Sequence, residues 1–75
     1  MNKFITVTKI EWEVENDEVV SERSFVILNV DHIISISDIN RDFEHVPGIK
    51  SKISATDKTY RVAESVEELV EKIFG

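Results

Sequence analysis

The 75-residue sequence predicts a mainly β fold of the α+β class: about five antiparallel strands in a twisted meander or small, partly open barrel, with one C-terminal helix. Three observations predict it. Short runs rich in Val, Ile, Thr and Phe recur between turn signals, as strands of a meander do. Residues 25–39, FVILNVDHIISISDI, join two apolar halves at a corner, Asn29-Val30-Asp31-His32. Only the C-terminal segment abandons alternation for apolar spacings of three and four, the period of a helix.

Residues 4–10 (FITVTKI) are rich in β-branched side chains and read as the first strand, with Ile5 and Val7 on one face. Beyond them Ile10, Trp12 and Val14 are apolar on even positions, and Glu11, Glu13 and Glu15 fill the odd ones. Side chains of a strand alternate strictly, so this change of parity predicts a bulge or sharp twist near Thr8 and Lys9. Asn16, Asp17 and Glu18 supply the reversal, although without the glycine that a tight two-residue turn prefers. Residues 19–24 then return beside residues 10–15. The result is a hairpin arm over residues 10–24. A two-stranded ribbon is barely stable alone, so its apolar residues Ile10, Trp12, Val14 and Val20 are candidate contacts for a second copy or another protein.

In residues 25–30 every residue but Asn29 is apolar, which predicts a strand inside the sheet, buried on both faces. Phe25 and Ile27 would lie on one side, Val26, Leu28 and Val30 on the other. Residues 33–39 alternate, with Ile34 and Ile36 on one face and Ser35 and Ser37 opposite. Asp31 and His32 make the bend between the two strands, where Asp accepts from a backbone N–H two residues on. Residues 40–49 hold the single Pro and form a loop turned at Pro47-Gly48 and pinned by Phe43 and Val46. Residues 50–56 (KSKISAT) place Ile53 and Ala55 inward, Asp57-Lys58 reverse the chain, and residues 60–63 form the last strand with Tyr60 and Val62 on one face. Ser65-Val66-Glu67-Glu68 has the capping-box form S-x-x-E. A helix therefore covers residues 65–74, with Val66, Leu69, Val70, Ile73 and Phe74 as its apolar face and Glu68–Lys72 as a favourable pair.

Residues 1–75 are expected to form a single domain, and at this size only about 60% of the unfolded surface can be buried, which makes a supporting partner chain physically reasonable. Cysteine is absent, so there is neither a disulfide nor a thiolate metal site. The N-terminus lacks the apolar core of a secretory signal, and no apolar run is long enough to span a membrane. A cytoplasmic protein is the expectation. With 15 acidic and 9 basic residues the net charge is −6, which opposes phosphate backbones. Lys50, Lys52, Lys58 and Arg61 fall close together in sequence and supply the alternative of a nucleic-acid-binding regulator. A weaker alternative is a metal or small-molecule site near Asp31, His32 and His45, although the two histidines match no zinc spacing. Phosphate-binding, nucleophile-elbow and metalloprotease motifs are all missing, so neither an enzyme nor a cofactor is expected.

The segments ITVTKI, LNVDHIISI and KTYRVAESVEELVEKI resemble the small flagellar and swarming-motility proteins of the FlbD type, which share an opening strand, a segment of the form LNPDxIxxI and an ending close to GxxYxVxESVxEVxxKI. The resemblance implies a short, cytoplasmic, non-enzymatic protein, and it carries no catalytic residue over. This chain has Val30 where that family has proline, Asp57-Lys58 where it has a turn glycine, and a longer hairpin over residues 9–24. The D-x-I-x-x-I and S-x-x-E-L landmarks also look like part of LytTR-type DNA-binding domains, which would imply a nucleic-acid partner. The function expected from these readings is a non-enzymatic interaction or structural module that self-associates or binds another protein.

Overall fold

The computed structural model describes residues 3–39, 46 and 48–75. In chain order they form β1 (Phe4–Glu15), β2 (Glu18–Asn29), a single 3-10 turn (Val30–His32), β3 (Ile33–Asp38), β4 (Ser51–Ala55), β5 (Thr59–Val62) and α1 (Val66–Phe74). The strands make one open antiparallel sheet in the order β2-β1-β5-β4-β3, so the fold is mainly β, α+β, with a C-terminal helix, as the sequence predicts. β2 and β3 are its two edges, yet only the 3-10 turn joins them. The sheet must therefore coil strongly to bring its edges together at that corner.

The β1–β2 hairpin closes on a two-residue turn, with Asn16 and Asp17 both left-handed at φ 52° and 64°. A primed turn of this kind matches the twist of the strands it joins, and Asn and Asp tolerate that region better than other non-glycine residues. Pairing runs without interruption from Phe4↔Asn29 to Glu15↔Glu18. Of the bulge or sharp twist predicted near Thr8 and Lys9, the bulge is therefore not there. The parity changes because the strand serves two cores on opposite faces. Ile5 and Val7 join Leu28, Ile53, Tyr60, Val62 and Leu69 in the main core. Ile10 joins Val46 and Ile49 in a second core, against which Trp12, Val19, Ile39 and Ala63 pack. The change falls where β5 crosses β1, at Lys9↔Val62.

Two further expectations are corrected. β2 is an edge strand rather than an interior one, and Phe25 and Ile27 lie in solvent. In β3 the pairing passes from Ile33↔Ala55 to Ser35↔Ser54, which leaves Ile34 as an extra, exposed residue while Ile33 and Ile36 pack on the main core. Ile34 and Ile36 thus do not share a face, because a bulge resets the alternation.

At the corner, Asn29 Oδ1 accepts from the Asp31 N–H at 2.9 Å, so Asn29 rather than Asp31 supplies the turn's side-chain acceptor. The Val30 N–H donates to the Lys3 carbonyl (2.9 Å) and the Thr56 N–H to that of His32 (3.0 Å), tying the corner to the start of β1 and to the β4–β5 turn. At the other side of β1, the Glu64 carboxylate accepts from both the N–H and the hydroxyl of Thr8, each at 2.9 Å. Ser51 is fully buried and its hydroxyl donates to the Glu64 carbonyl, as a buried polar group must.

α1 begins with the predicted capping box: the Glu68 N–H donates to Ser65 Oγ (3.1 Å), and the Ser65 N–H to the Glu68 carboxylate (3.3 Å). Leu69 is fully buried and Ile73 packs on the main core, but Val70 and Phe74 are exposed, so the apolar face is narrower than predicted. The Lys3 ammonium donates to the Ile73 carbonyl, a favourable charge at the helix C-terminus. Val46 is buried, whereas Phe43, His45 and Pro47 lie outside the described residues.

Candidate interaction surface

Paired residues of an antiparallel ladder point to the same face, so the β1–β2 register assigns every side chain of the hairpin. On one face of the tip, residues 10–23, lie Ile10, Trp12 and Val14 with Val19, Ser21 and Arg23. The second core takes in three of them, Ile10, Trp12 and Val19: Ile10 is 2% exposed and Trp12 is half-buried. The Arg61 guanidinium approaches the indole ring, with its carbon 5.9 Å from the centroid. The opposite face of the tip carries Glu11, Glu13, Glu15, Glu18 and Glu22 around Val20. Lys9 bonds Glu11 at 2.7 Å, and that hydrogen bond, with the ammonium's charge, holds the Glu11 carboxyl below the usual carboxylate range.

The base of the hairpin is the reverse. Its Ile5, Val7, Val26 and Leu28 face the main core. On its other face Phe4, Thr6 and Thr8 lie beside Ile27 and Phe25, and among the described residues the three large apolar side chains stay bare: Phe4 is 59% exposed, Ile27 70% and Phe25 80%.

The residues singled out in the sequence therefore separate. Ile10 is enclosed by its own chain and cannot act as a contact, because Val46 and Ile49 arrive from the loop side to cover it. Trp12 presents only part of its ring. Val14 and Val20 are both exposed but point to opposite faces of the tip. The bare patch at Phe4, Phe25 and Ile27 was missed because a strand apolar on both faces reads as interior, and an edge strand can carry the same composition.

Of the basic residues, Lys52 and Arg61 are direct cross-strand partners on one face of β4–β5, and Lys50 is exposed nearby in sequence. Lys58 sits with its ammonium 5.0 Å from the centre of the Tyr60 ring. A crevice of about 310 Å³ opens where β1 and β5 diverge, lined by Lys9, Ile10, Glu11, Trp12, Lys58, Thr59, Tyr60 and Arg61. The Tyr60 hydroxyl titrates above its ordinary value, chiefly because burial disfavours the phenolate and then because Asp57 lies beside it, with Oδ2 at 3.3 Å. Asp31 and His32 are exposed on the corner turn, and among the described residues no three His, Cys, Asp or Glu converge as metal ligands.

The fold and this surface define a small, mainly β α+β chain with an uncovered apolar edge region. No protein-family model, curated protein or solved structure matches it. Among the described residues no helix is long and apolar enough to cross a membrane.

Proposed function

We propose that the protein is a cytoplasmic, non-enzymatic interaction module that self-associates through the base of its hairpin. The observation that carries this reading is the bare face of Phe4, Phe25 and Ile27, in a chain whose described buried core is itself small. Contiguous exposed apolar side chains mark association surfaces far more often than do scattered ones. The reading keeps the role expected from the sequence and moves its contacts from the tip to the base. Its likeness to FlbD-type proteins is in keeping with a small non-enzymatic module. Light scattering tests it. The wild type should run as a dimer or larger, Phe25→Ser should shift it toward the monomer, and Trp12→Ala should leave the assembly in place. A wild type that is monomeric throughout the accessible concentration range would remove the proposal.

One observation favours a second reading, a nucleic-acid contact: Lys52 and Arg61 face the same side, with Trp12 against the arginine. Here the fluorescence of Trp12 should change on adding a random oligonucleotide and recover with salt. No salt-sensitive change would exclude it.

A further inference from the structure

Granted the self-association proposed above, we infer that two copies join edge to edge through β2, antiparallel about a two-fold axis at Val26, so that Phe25 of each copy lies opposite the partner's Ile27. The backbone supplies the first reason. A two-residue turn makes Glu15↔Glu18 a hydrogen-bonded pair, and alternation then directs the even residues of β2 toward β1 and the odd ones outward. Two bonds agree with that parity: the Val30 N–H donates to Lys3, and Thr8, an even residue of β1, accepts from the Ala63 N–H on the opposite side. The outward-facing N–H and C=O groups of β2, which pair with no other strand of the described sheet, thus belong to the residues that include Phe25 and Ile27. A row of such groups is a template for another strand.

The two sheet edges differ in how they are protected. β3 carries a bulge at Ile34 and ends in Asp38. Residues 24–29 of β2 have no bulge, no proline and no charge. Beside the last of them, a groove of about 510 Å³ is lined by Ile27, Leu28 and Asn29 on one side and Ala55, Thr56 and Asp57 on the other.

A second copy fits as the occupant because this edge segment is uncharged and pairs with itself about a two-fold axis, and charge then selects the register. A chain of net charge −6 can approach itself closely only along a neutral segment. A two-fold axis normal to the sheet pairs residues of like parity. Centred on Glu22, it would set that carboxylate against itself. Centred on Ser24 or Phe25, it would set Arg23 against an apolar side chain. Centred on Val26, it forms the Phe25–Ile27 pair twice and leaves Arg23 opposite the polar Asn29. A strand pair is a small interface, so the dimer should be of micromolar rather than nanomolar strength.

Complementary charges test both the edge and the register. Phe25→Lys and Ile27→Glu should each weaken self-association about tenfold, the effect of losing both cross-strand pairs. Mixed in equal amounts, they should form a heterodimer of near wild-type strength in sedimentation equilibrium, since Lys then faces Glu once and the native pair forms once. Both positions are exposed, so circular dichroism should show an unchanged fold; should either variant unfold, Phe25→Glu mixed with Ile27→Lys poses the same question. A dimeric wild type with both variants unaffected would overturn the β2 edge while sparing self-association. Weakened variants that fail to rescue one another would overturn the register. A monomeric wild type would overturn the underlying reading as well.

Discussion

The tip and the base of one hairpin solve the same problem in opposite ways. At the tip the solvent face is a field of glutamates, and on the other face Ile10 is covered by Val46 and Ile49. At the base the buried face meets the main core, and the solvent face carries Phe4, Phe25 and Ile27. The ladder between them is continuous, so backbone geometry cannot be the cause. What differs is which face the rest of the chain reaches. A continuous strand can change its inside for its outside without a bulge when two cores approach it from opposite sides. The comparison also shows which half is unfinished: the tip's free face is one that water solvates well, and the base's free face is one that water solvates poorly.

Truncating one side chain on each face separates the two halves of the hairpin. Ile10→Ala should destabilise the monomer by about 2–4 kcal/mol, because a fully enclosed side chain leaves a cavity. Phe25→Ser should change monomer stability by no more than about 0.5 kcal/mol, as exposed positions do. Urea melts under dilute conditions measure both, and equal losses would refute the assignment of inside and outside.

Gly48→Ala probes how the loop meets the tip. Gly48 has a φ of 92°, and a Cβ there would lie 2.4 Å from an Arg23 nitrogen and 3.4 Å from Ile10 Cδ1. Left-handed strain alone costs about 1–2 kcal/mol, and Arg23 must also move. Thermal unfolding should register that loss, whereas a neutral substitution would mean that the loop does not clasp the second core at this point.

Tyr60→Phe should cost about 0.5–1 kcal/mol, at the low end for a single hydrogen bond, because Asp57 is reached only at 3.3 Å. The pH dependence is more specific. The folded state holds the phenolic proton more tightly than the unfolded chain, whose ordinary value is 10.0. Its contribution is therefore full below that pH and is lost as pH rises through the higher folded value. Unfolding of the wild type above pH 10 should show this decline, and the Phe variant should lack it. The smallest effect is a gain: Asp17→Gly removes a left-handed non-glycine residue from the turn and should stabilise the hairpin by about 0.5–1 kcal/mol. A loss on melting would mean that the Asp17 side chain contributes more than its backbone strain.

Much of the architecture was legible in the residues because it is locally encoded. The helix announces itself through Ser65 and Glu68, and the hairpin through β-branched runs around Asn16-Asp17. What was not legible depends on distant partners. Nothing near residue 10 shows that Val46 and Ile49 will cover Ile10, so a change of apolar parity was open to explanation by a bulge. Nothing near Glu64 shows that its carboxylate will hold Thr8, 56 positions earlier. Nor can FVIL alone distinguish an interior strand from an edge, since both can be apolar on alternate faces. Asn29 is the exception that could have been found, because an Asn two residues before a bend is the ordinary signature of a side-chain-capped turn.

Amide hydrogen exchange along β2 reads the exposed edge itself. The N–H groups of Phe25 and Ile27 should be protected at high protein concentration and exchange quickly on dilution, while that of Val26, directed at β1, stays protected throughout. Fast exchange at Phe25 and Ile27 at every concentration would show that no second chain shelters this edge.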